Sequence, residues 1–443
     1  MDENLLQDVV AAALKAGADA AEAVGAERQS LSISVRMGKL EEVEREEARD
    51  LGLRVFIGQR QASVSGSDLS APARARLVER VVAMARLAPE DPYAGLAPQD
   101  RLAHGPWPDL ELFDATEPSA AALEALAEAA EAAALAVPGV SNSEGGSASW
   151  SSAAWRLVTS TGFSGPHAAS GFSLSASVVA SDENGMERGG EGRSQRWQAD
   201  LPRPEAIGAE AGRRAVGRLG ARKIASTTAP VIFENRLAMS LIGPMIGAIA
   251  GPAIARGASF LKDKLGQAIF SPGVIVAEEP HRKRGLGSSP FDDEGVANQA
   301  RHIIDDGVLT TWLLNCSSAR QLGLETTGHA SRGLAGSPGV STTNLTVRPG
   351  SLDEAGLMRE AGEGLLVTSM FGPSLNAHTG DWSVGVSGFW FSGGEFAYPV
   401  TEITVAGNLI DIYQRVVVGS DLEIRGAANS PSLLIDGLAI AGR

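Results

Sequence analysis

Residues 237–255, LAMSLIGPMIGAIAGPAIA, constrain the chain more than any other stretch. No charge falls between Arg236 and Arg256, and the length is about what a bilayer span needs. Pro244 and Pro252 each remove a helix donor and disturb the turn before them. Gly243, Gly247 and Gly251 recur every fourth residue, so on one helix they would form a smooth stripe open to close backbone approach. The glycines and prolines lower the apolar content, and no second span accompanies this one, so no membrane partner is expected. The pattern predicts a buried, broken helix in a soluble core or at a subunit interface.

The 443 residues exceed one ordinary core, and three regions are expected: 1–110, 111–224 and 225–443. A hydrophobic fraction of 44% and a charged fraction of 21% match a soluble globular protein. Only 5% is aromatic while glycine numbers 52, so close backbone packing should matter more than large rings. The net charge of −15 opposes non-specific nucleic-acid binding, and no nucleic-acid partner is expected. The start, MDENLLQDVV, is acidic where a signal peptide is basic, and a single cysteine excludes an intrachain disulfide. A cytoplasmic location is therefore expected. Cys316, in WLLNCSSARQLG, reads as a buried structural thiol, with a nucleophile as the alternative.

Helical spacing predicts a helix at 3–16, Ser-Ala-Pro and Pro89 bound a second at 70–87, alanine-rich composition gives a third at 117–137, and another is expected at 206–219. Alternating segments at 30–37, 39–48, 51–58 and 60–66 predict an antiparallel meander, and the acidic run KLEEVEREEARD reads as a solvated strand face rather than a binding tail. Proline pairs mark 89–108 as an extended connection. Strand-like runs follow at 148–161, 170–181 and 191–200, with Thr161-Gly162 and Asn184-Gly185 as turns. The last region opens with the strand PVIFE, passes through the 237–255 segment, and then carries many short strands punctuated by glycine. The expected fold class is α+β: an N-terminal helix plus antiparallel meander, a mixed middle region and a C-terminal antiparallel, barrel-like β domain.

The chemistry is conspicuous for what is missing. The six histidines, His104, His167, His281, His302, His329 and His378, lie far apart in sequence, and none is followed by Glu. A zinc-peptidase helix needs two histidines on one face and a Glu beside them. No G-x-S-x-G, P-loop or G-x-G-x-x-G motif occurs.

Five blocks carry a resemblance: PVIFENRLAMSLIGPMIGAIAG, GLGSSPFDDEGV, DDGVLTTWLLNCSSARQLGLETTGHA, TGDWSVGVSGFW and YPVTEITVAGNL. In this order they resemble the TldE/PmbA branch of the TldD/PmbA family, and the N-terminal LGLRVFIGQRQASVSGSDLS is similar to it as well. The family, long labelled modulators of DNA gyrase, is implied to be a cytoplasmic peptidase system. In it TldD and TldE subunits pair to degrade unstructured peptides and to mature a microcin precursor. In the TldD branch, a helix bearing H-E-x-x-x-H and a cysteine near the C-terminus hold zinc. Carried over by position, Gly243 and Ala248 stand at the two histidine ligands and Pro244 at the base. The C-terminal RGAANSPSLLIDG has no cysteine, and Cys316 lies in a different block. The resemblance therefore implies no catalytic residue and no metal on this chain, and zinc on a TldD-like partner subunit.

Candidate channel-lining residues for an extended peptide are Thr326, Thr327 and His329 in TTGH, and Ser341 and Asn344 in STTN. Ordinary turn residues in a glycine-rich loop are the alternative reading, as is a satisfied structural histidine for His329. Thr379-Gly380-Asp381-Trp382 reads as a turn with a packed tryptophan or as a further contact. The Gly243/Gly247/Gly251 stripe serves close packing, facing either the chain's own barrel or the partner. Two other functions stay open at this point: a self-sufficient homodimeric hydrolase, and a non-enzymatic gyrase or toxin–antitoxin modulator. A homodimer is the expected assembly where the partner is missing.

Overall fold

The computed structural model describes residues 1–183 and 185–442; Asn184, expected to share a turn with Gly185, lies outside them. Helix α1 (Glu3–Lys15) starts at Asp2, whose side chain caps Asn4 N, and buries Leu6, Val9 and Val10. Strands β1 (Ala20–Arg36), β2 (Lys39–Ile57) and β3 (Arg60–Gly66) form the meander, followed by α2 (Ala71–Leu87). The middle region holds α3 (Ala120–Leu135), β4 (Val140–Thr159), β5 (Ser164–Asp182), β6 (Gly185–Gln195) and α4 (Pro204–Val216). β1 pairs antiparallel with β4, so both regions share one six-stranded sheet of order β3-β2-β1-β4-β5-β6.

Strand boundaries differ from the sequence reading: β4, β5 and β6 each begin six to eight residues earlier than their strand-like runs, and the meander differs in two places. The segments at 39–48 and 51–58 are one continuous strand, β2, because β1 pairs along its whole length. β1 begins ten residues before position 30, at Ala20, although AAEAVGAER is rich in helix formers. Pairing on both sides, with β2 and with β4, overrides that propensity. The helices cover one face of the sheet, while Val24 and Leu157 on the other face pack against the C-terminal region. Ala21, Ala23, Leu31, Ile33 and Val35 share a face of β1 and pack with the helices, with α1 and α2 at one end and α3 and α4 at the other. α3 and α4 touch through backbone: a Cβ on Gly208 would stand 2.0 Å from Ala130 O.

In the C-terminal region β7 (Thr227–Phe233) leads into α5 (Asn235–Ala248) and the short α6 (Gly251–Ala255). β8 (Val276–Glu278), β9 (Arg301–Asp305), β10 (Val308–Leu309), α7 (Cys316–Leu322), β11 (Ala330–Ser331), β12 (Gly339–Val340) and β13 (Leu345–Val347) follow. Then come α8 (Glu354–Ala361), β14 (Glu363–Leu375), β15 (Asp381–Ser392), β16 (Glu395–Asn408), α9 (Leu409–Tyr413), β17 (Val416–Val418), β18 (Ala428–Asn429) and β19 (Leu433–Ala441). β7, β14, β15, β16 and β19 close into a five-stranded barrel through the β16–β19 pairing. The barrel is antiparallel except for β7 and β14, which run parallel. Its interior, with Val231, Phe233, Val367, Trp382 and Val405, is continuous with the buried face of α5.

The 237–255 segment is a helix broken once, between α5 and α6. Pro244 stays inside α5, and the break falls at Ile249 and Ala250. Pro252 sits in the first turn of α6, where its missing N–H is harmless. None of the helices among the described residues is long and apolar enough to cross a membrane.

Two glycine substitutions separate packing from propensity. Within a helix, Gly→Ala gains roughly 0.5–1 kcal/mol, whereas overpacking costs about 1–3 kcal/mol. Gly208→Ala should lower the thermal midpoint because Ala130 O blocks the methyl group. Gly243→Ala should raise it, since a Cβ there meets no heavy atom within 4 Å.

Candidate functional site

α5 presents two unlike faces. Ala238, Leu241, Ile242, Met245 and Ala248 are buried toward the barrel, and the Tyr413 hydroxyl donates to Leu241 O at 3.0 Å. Ser240, Gly243 and Gly247 lie on the exposed side. A Cβ at Gly243 or Gly247 would meet nothing within 4 Å, while one at Gly251 would stand 2.3 Å from Ser318 Oγ. The single stripe expected from the four-residue repeat is therefore divided. Gly251 belongs to α6 and packs on α7, whereas Gly243 and Gly247 face away from the chain's own core.

Gly243, Pro244 and Ala248 offer no lone pair to a metal, and neither their neighbours nor the 425–437 segment supplies a histidine or cysteine. Among the described residues, His, Cys, Asp and Glu form no group of three or more arranged to hold a metal ion. The donor set around α5 does not fit zinc. Cys316 is buried, and burial, reinforced by the Glu294 carboxylate, pushes its thiol far above the usual range. It is structural rather than nucleophilic.

A cleft of about 600 Å³ opens beside the first turn of α5. Its floor is a register row across the sheet, Ser34–Ser147–Ser175–Gly192, on the face opposite the helices. Small side chains leave this row shallow and rich in hydroxyl groups. Arg236 and Arg425 of the C-terminal region overhang it. β6, which contributes Gly190 and Gly192, is the edge strand of the sheet.

An ion-pair array holds the cleft's walls together. Arg425 Nη1 reaches Glu191 Oε1 at 3.0 Å, Arg193 pairs with the same carboxylate, and Arg193 Nη2 meets Glu423 at 2.6 Å. Arg236 donates from Nε and Nη2 to the two oxygens of Glu234, at 2.9 and 3.0 Å. Arg214 of α4 meets Glu234 at 3.1 Å. The array joins β6, α4, the start of α5 and the segment around 423–425. These residues were not singled out in the sequence, because the carboxylates and guanidiniums come from positions far apart in the chain.

The five lining candidates lie elsewhere, and two of them are closed off from any channel. His329, 3% exposed, meets Glu278 Oε2 with Nε2 and Thr327 Oγ1 with Nδ1, both at 2.8 Å. Thr327 Oγ1 also accepts from Leu314 N, and Thr326 Oγ1 donates to Leu314 O. Asn344 is fully buried; its Oδ1 accepts from Gly287 N and its Nδ2 donates to Glu279 O and Ser288 Oγ. Ser341 is exposed, and its N–H donates to His329 O. The structure does bring TTGH and STTN together, through β11 and β12, but as a brace around Glu278, whose Oε1 accepts from Thr343 N. Thr379–Trp382 is a turn: Thr379 Oγ1 donates to Asp381, and Trp382 packs edge-on to Phe233.

Family models match three stretches of the chain: PmbA/TldA metallopeptidase domain 1 at 21–85, the central domain at 113–219 and the C-terminal domain at 226–442. A protein named metalloprotease PmbA from Escherichia coli O157:H7 is 39% identical, over 99% of this chain and 97% of its own. A PmbA homologue from Haemophilus influenzae is 37% identical, over 97% and 94%. A Bacteroides thetaiotaomicron structure, described as a candidate modulator of DNA gyrase, superposes with a TM-score of 0.93 at 28% identity, covering all of both chains. TldE from Thermococcus kodakarensis shares the fold, with a TM-score of 0.87 at 18% identity over 99% of this chain and 100% of that one.

Burial raises the Glu278 carboxyl, but the His329 contact and the Thr343 hydrogen bonds outweigh it and leave the group below its ordinary value of 4.5. Such a carboxylate stabilises the fold above the unfolded value, and the contribution is lost as pH falls through the lower folded value. Glu278→Gln should cost roughly 1–3 kcal/mol at neutral pH. In chemical denaturation the gap to the parent should narrow only below about pH 4.5.

Proposed function

The chain belongs to the PmbA/TldA metallopeptidase family, and we propose that within it this is the subunit that binds no zinc. In this reading a TldD-like partner carries the metal in a cytoplasmic heterodimer that degrades or processes unstructured peptides. The observation that carries it is the content of α5, where Gly243, Pro244 and Ala248 occupy the positions that the family resemblance assigns to the zinc helix. Two further features support it. The outer face of α5 is free of the chain's own packing at Gly243 and Gly247, as a surface awaiting a partner would be. The serine row and the β6 edge suit an extended backbone, which adds to a sheet edge through main-chain hydrogen bonds and so tolerates many sequences. Folded proteins lack a free strand to offer and would be rejected.

The test uses the purified full chain, alone and with the TldD-like subunit from the same genome. Alone it should retain no stoichiometric zinc and no chelator-sensitive peptide hydrolysis, and the pair should have both. Metal-dependent turnover by the chain alone would instead establish the homodimeric hydrolase. Recovery of gyrase, and never the TldD-like protein, on co-purification would establish the modulator. Gly247→Trp should leave the melting of the isolated chain unchanged while weakening heterodimer formation by about tenfold or more, a loss of about 1.4 kcal/mol.

A further inference from the structure

A second cleft, of about 240 Å³, lies on the outer surface of the barrel between α4 and α8. Leu366 and Thr368 of β14 point outward into it, two residues apart on the same face. Arg218 and Glu210 line it from α4 and the turn after it, Glu354 from the first turn of α8, and Phe389 and Phe396 from β15 and β16. The two rings stand 5.1 Å apart, centroid to centroid, and form an apolar wall with Leu366.

Three polar groups converge on this cleft, one buried and two half-buried, each without an ion-pair or side-chain hydrogen-bond partner among the described residues. Thr368 is 9% exposed, and its hydroxyl has no hydrogen-bond partner. Glu354 makes no hydrogen bond or ion pair among the described residues, although Glu234 beside it is held by Arg214 and Arg236. Arg218 donates only to the carbonyls of Arg188 and Thr368, with no carboxylate paired to it among the described residues. A buried hydroxyl left unsatisfied is costly. Glu187 and Glu234 attract Arg218, and Arg214 attracts Glu354, but none of them makes a contact ion pair with it among the described residues. One cleft therefore holds a carboxylate and a guanidinium that make no contact ion pair among the described residues, an unsatisfied hydroxyl and an aromatic wall. Its volume lies below the roughly 300–1,000 Å³ of pockets for drug-sized ligands and suits a molecule the size of one residue.

We propose that this cleft binds a free apolar α-amino acid. Its ammonium group lies against Glu354 and, once the Thr368 side chain turns about χ1 to present its enclosed hydroxyl, against that group as well. Its carboxylate lies against Arg218, and its side chain against Phe389, Phe396 and Leu366. The site is separate from the serine-lined cleft, and its occupancy does not depend on which subunit holds zinc. Burial, with Glu234 and Asp421 and a smaller push from Asp353, raises the Glu354 carboxyl to about 7 against the pull of Arg214. Glu210, Arg213 and Arg218 complete the charged groups around it. A ligand ammonium beside Glu354 favours the ionised form, so binding near neutral pH should release a proton.

Titration calorimetry on the isolated full chain tests this with L-leucine and L-phenylalanine. Isocaproate lacks the ammonium, isoamylamine lacks the carboxylate, and L-glutamate lacks the apolar side chain. The two apolar amino acids should bind, each control at least about tenfold more weakly, and Glu354→Gln and Thr368→Val should weaken binding, the former by roughly tenfold or more. In buffers of different ionisation enthalpy at pH 7, the parent should release a proton and Glu354→Gln should not. Thr368→Val, almost the same size, keeps the test valid if Glu354→Gln perturbs the fold. No binding up to about 10 mM, unchanged affinity in both variants, or equal binding of the single-charge analogues would overturn the proposal.

Discussion

Burying the Glu191 carboxylate where the sheet meets the barrel is tolerable only because three guanidinium groups converge on it. Arg193 comes from its own strand, Arg214 from α4 and Arg425 from the segment before β18. A carboxylate 7% exposed would be ruinously desolvated alone, and removing one partner from a buried pair typically costs about 3–5 kcal/mol. Through Arg214 and Glu234 the same array reaches the N-cap of α5. The orientation of the sheet against the barrel, and with it the cleft under Arg236 and Arg425, thus depends on charges that are satisfied only in one arrangement. The halves also share an apolar seam, where Val24, Leu157 and Phe163 of the sheet pack on Phe291, Val296 and Cys316, and the ion pairs fix the opposite margin of that contact.

Much of this architecture could be read from residue patterns. α1 announces itself through helical spacing and α3 through its alanine content, and in the fold Asp2 and Ser119 cap their first turns. The barrel strands Asp381–Ser392 and Glu395–Asn408 show in their apolar runs. Leu433–Ala441 is harder, because Asp436-Gly437 has the signature of a hairpin turn. In the fold Gly437, at φ +65°, instead marks a shift of register inside a continuous strand that closes the barrel. Local chemistry cannot distinguish a bulge from a turn when the deciding partners, β7 and β16, lie far away in sequence.

The sites divide in the same way. What α5 lacks is visible in a few adjacent letters, since an absent ligand needs no tertiary context. The brace around Glu278 is half visible: TTGH and STTN attract notice, but the buried carboxylate that joins them does not. Nothing in the sequence marks Thr368, Glu354 and Arg218 as neighbours, because three separate elements deliver them to one surface. Positive features that depend on convergence need coordinates, whereas missing chemistry can be seen without them.

The six-stranded sheet ends in two borders of opposite character. β3 pairs only with residues 51–57 of β2, which leaves the earlier part of β2 uncovered. That stretch carries Glu41, Glu42, Glu44, Glu46 and Glu47, all exposed. A second copy trying to stack there would bring like charges into register, so runaway strand-on-strand growth is discouraged on that flank. The opposite flank, β6, is rich in glycine, with acidic and basic side chains in balance. A loose chain drifting past is thus turned away at one margin and met without repulsion at the other, which gives a nearly symmetrical sheet a direction.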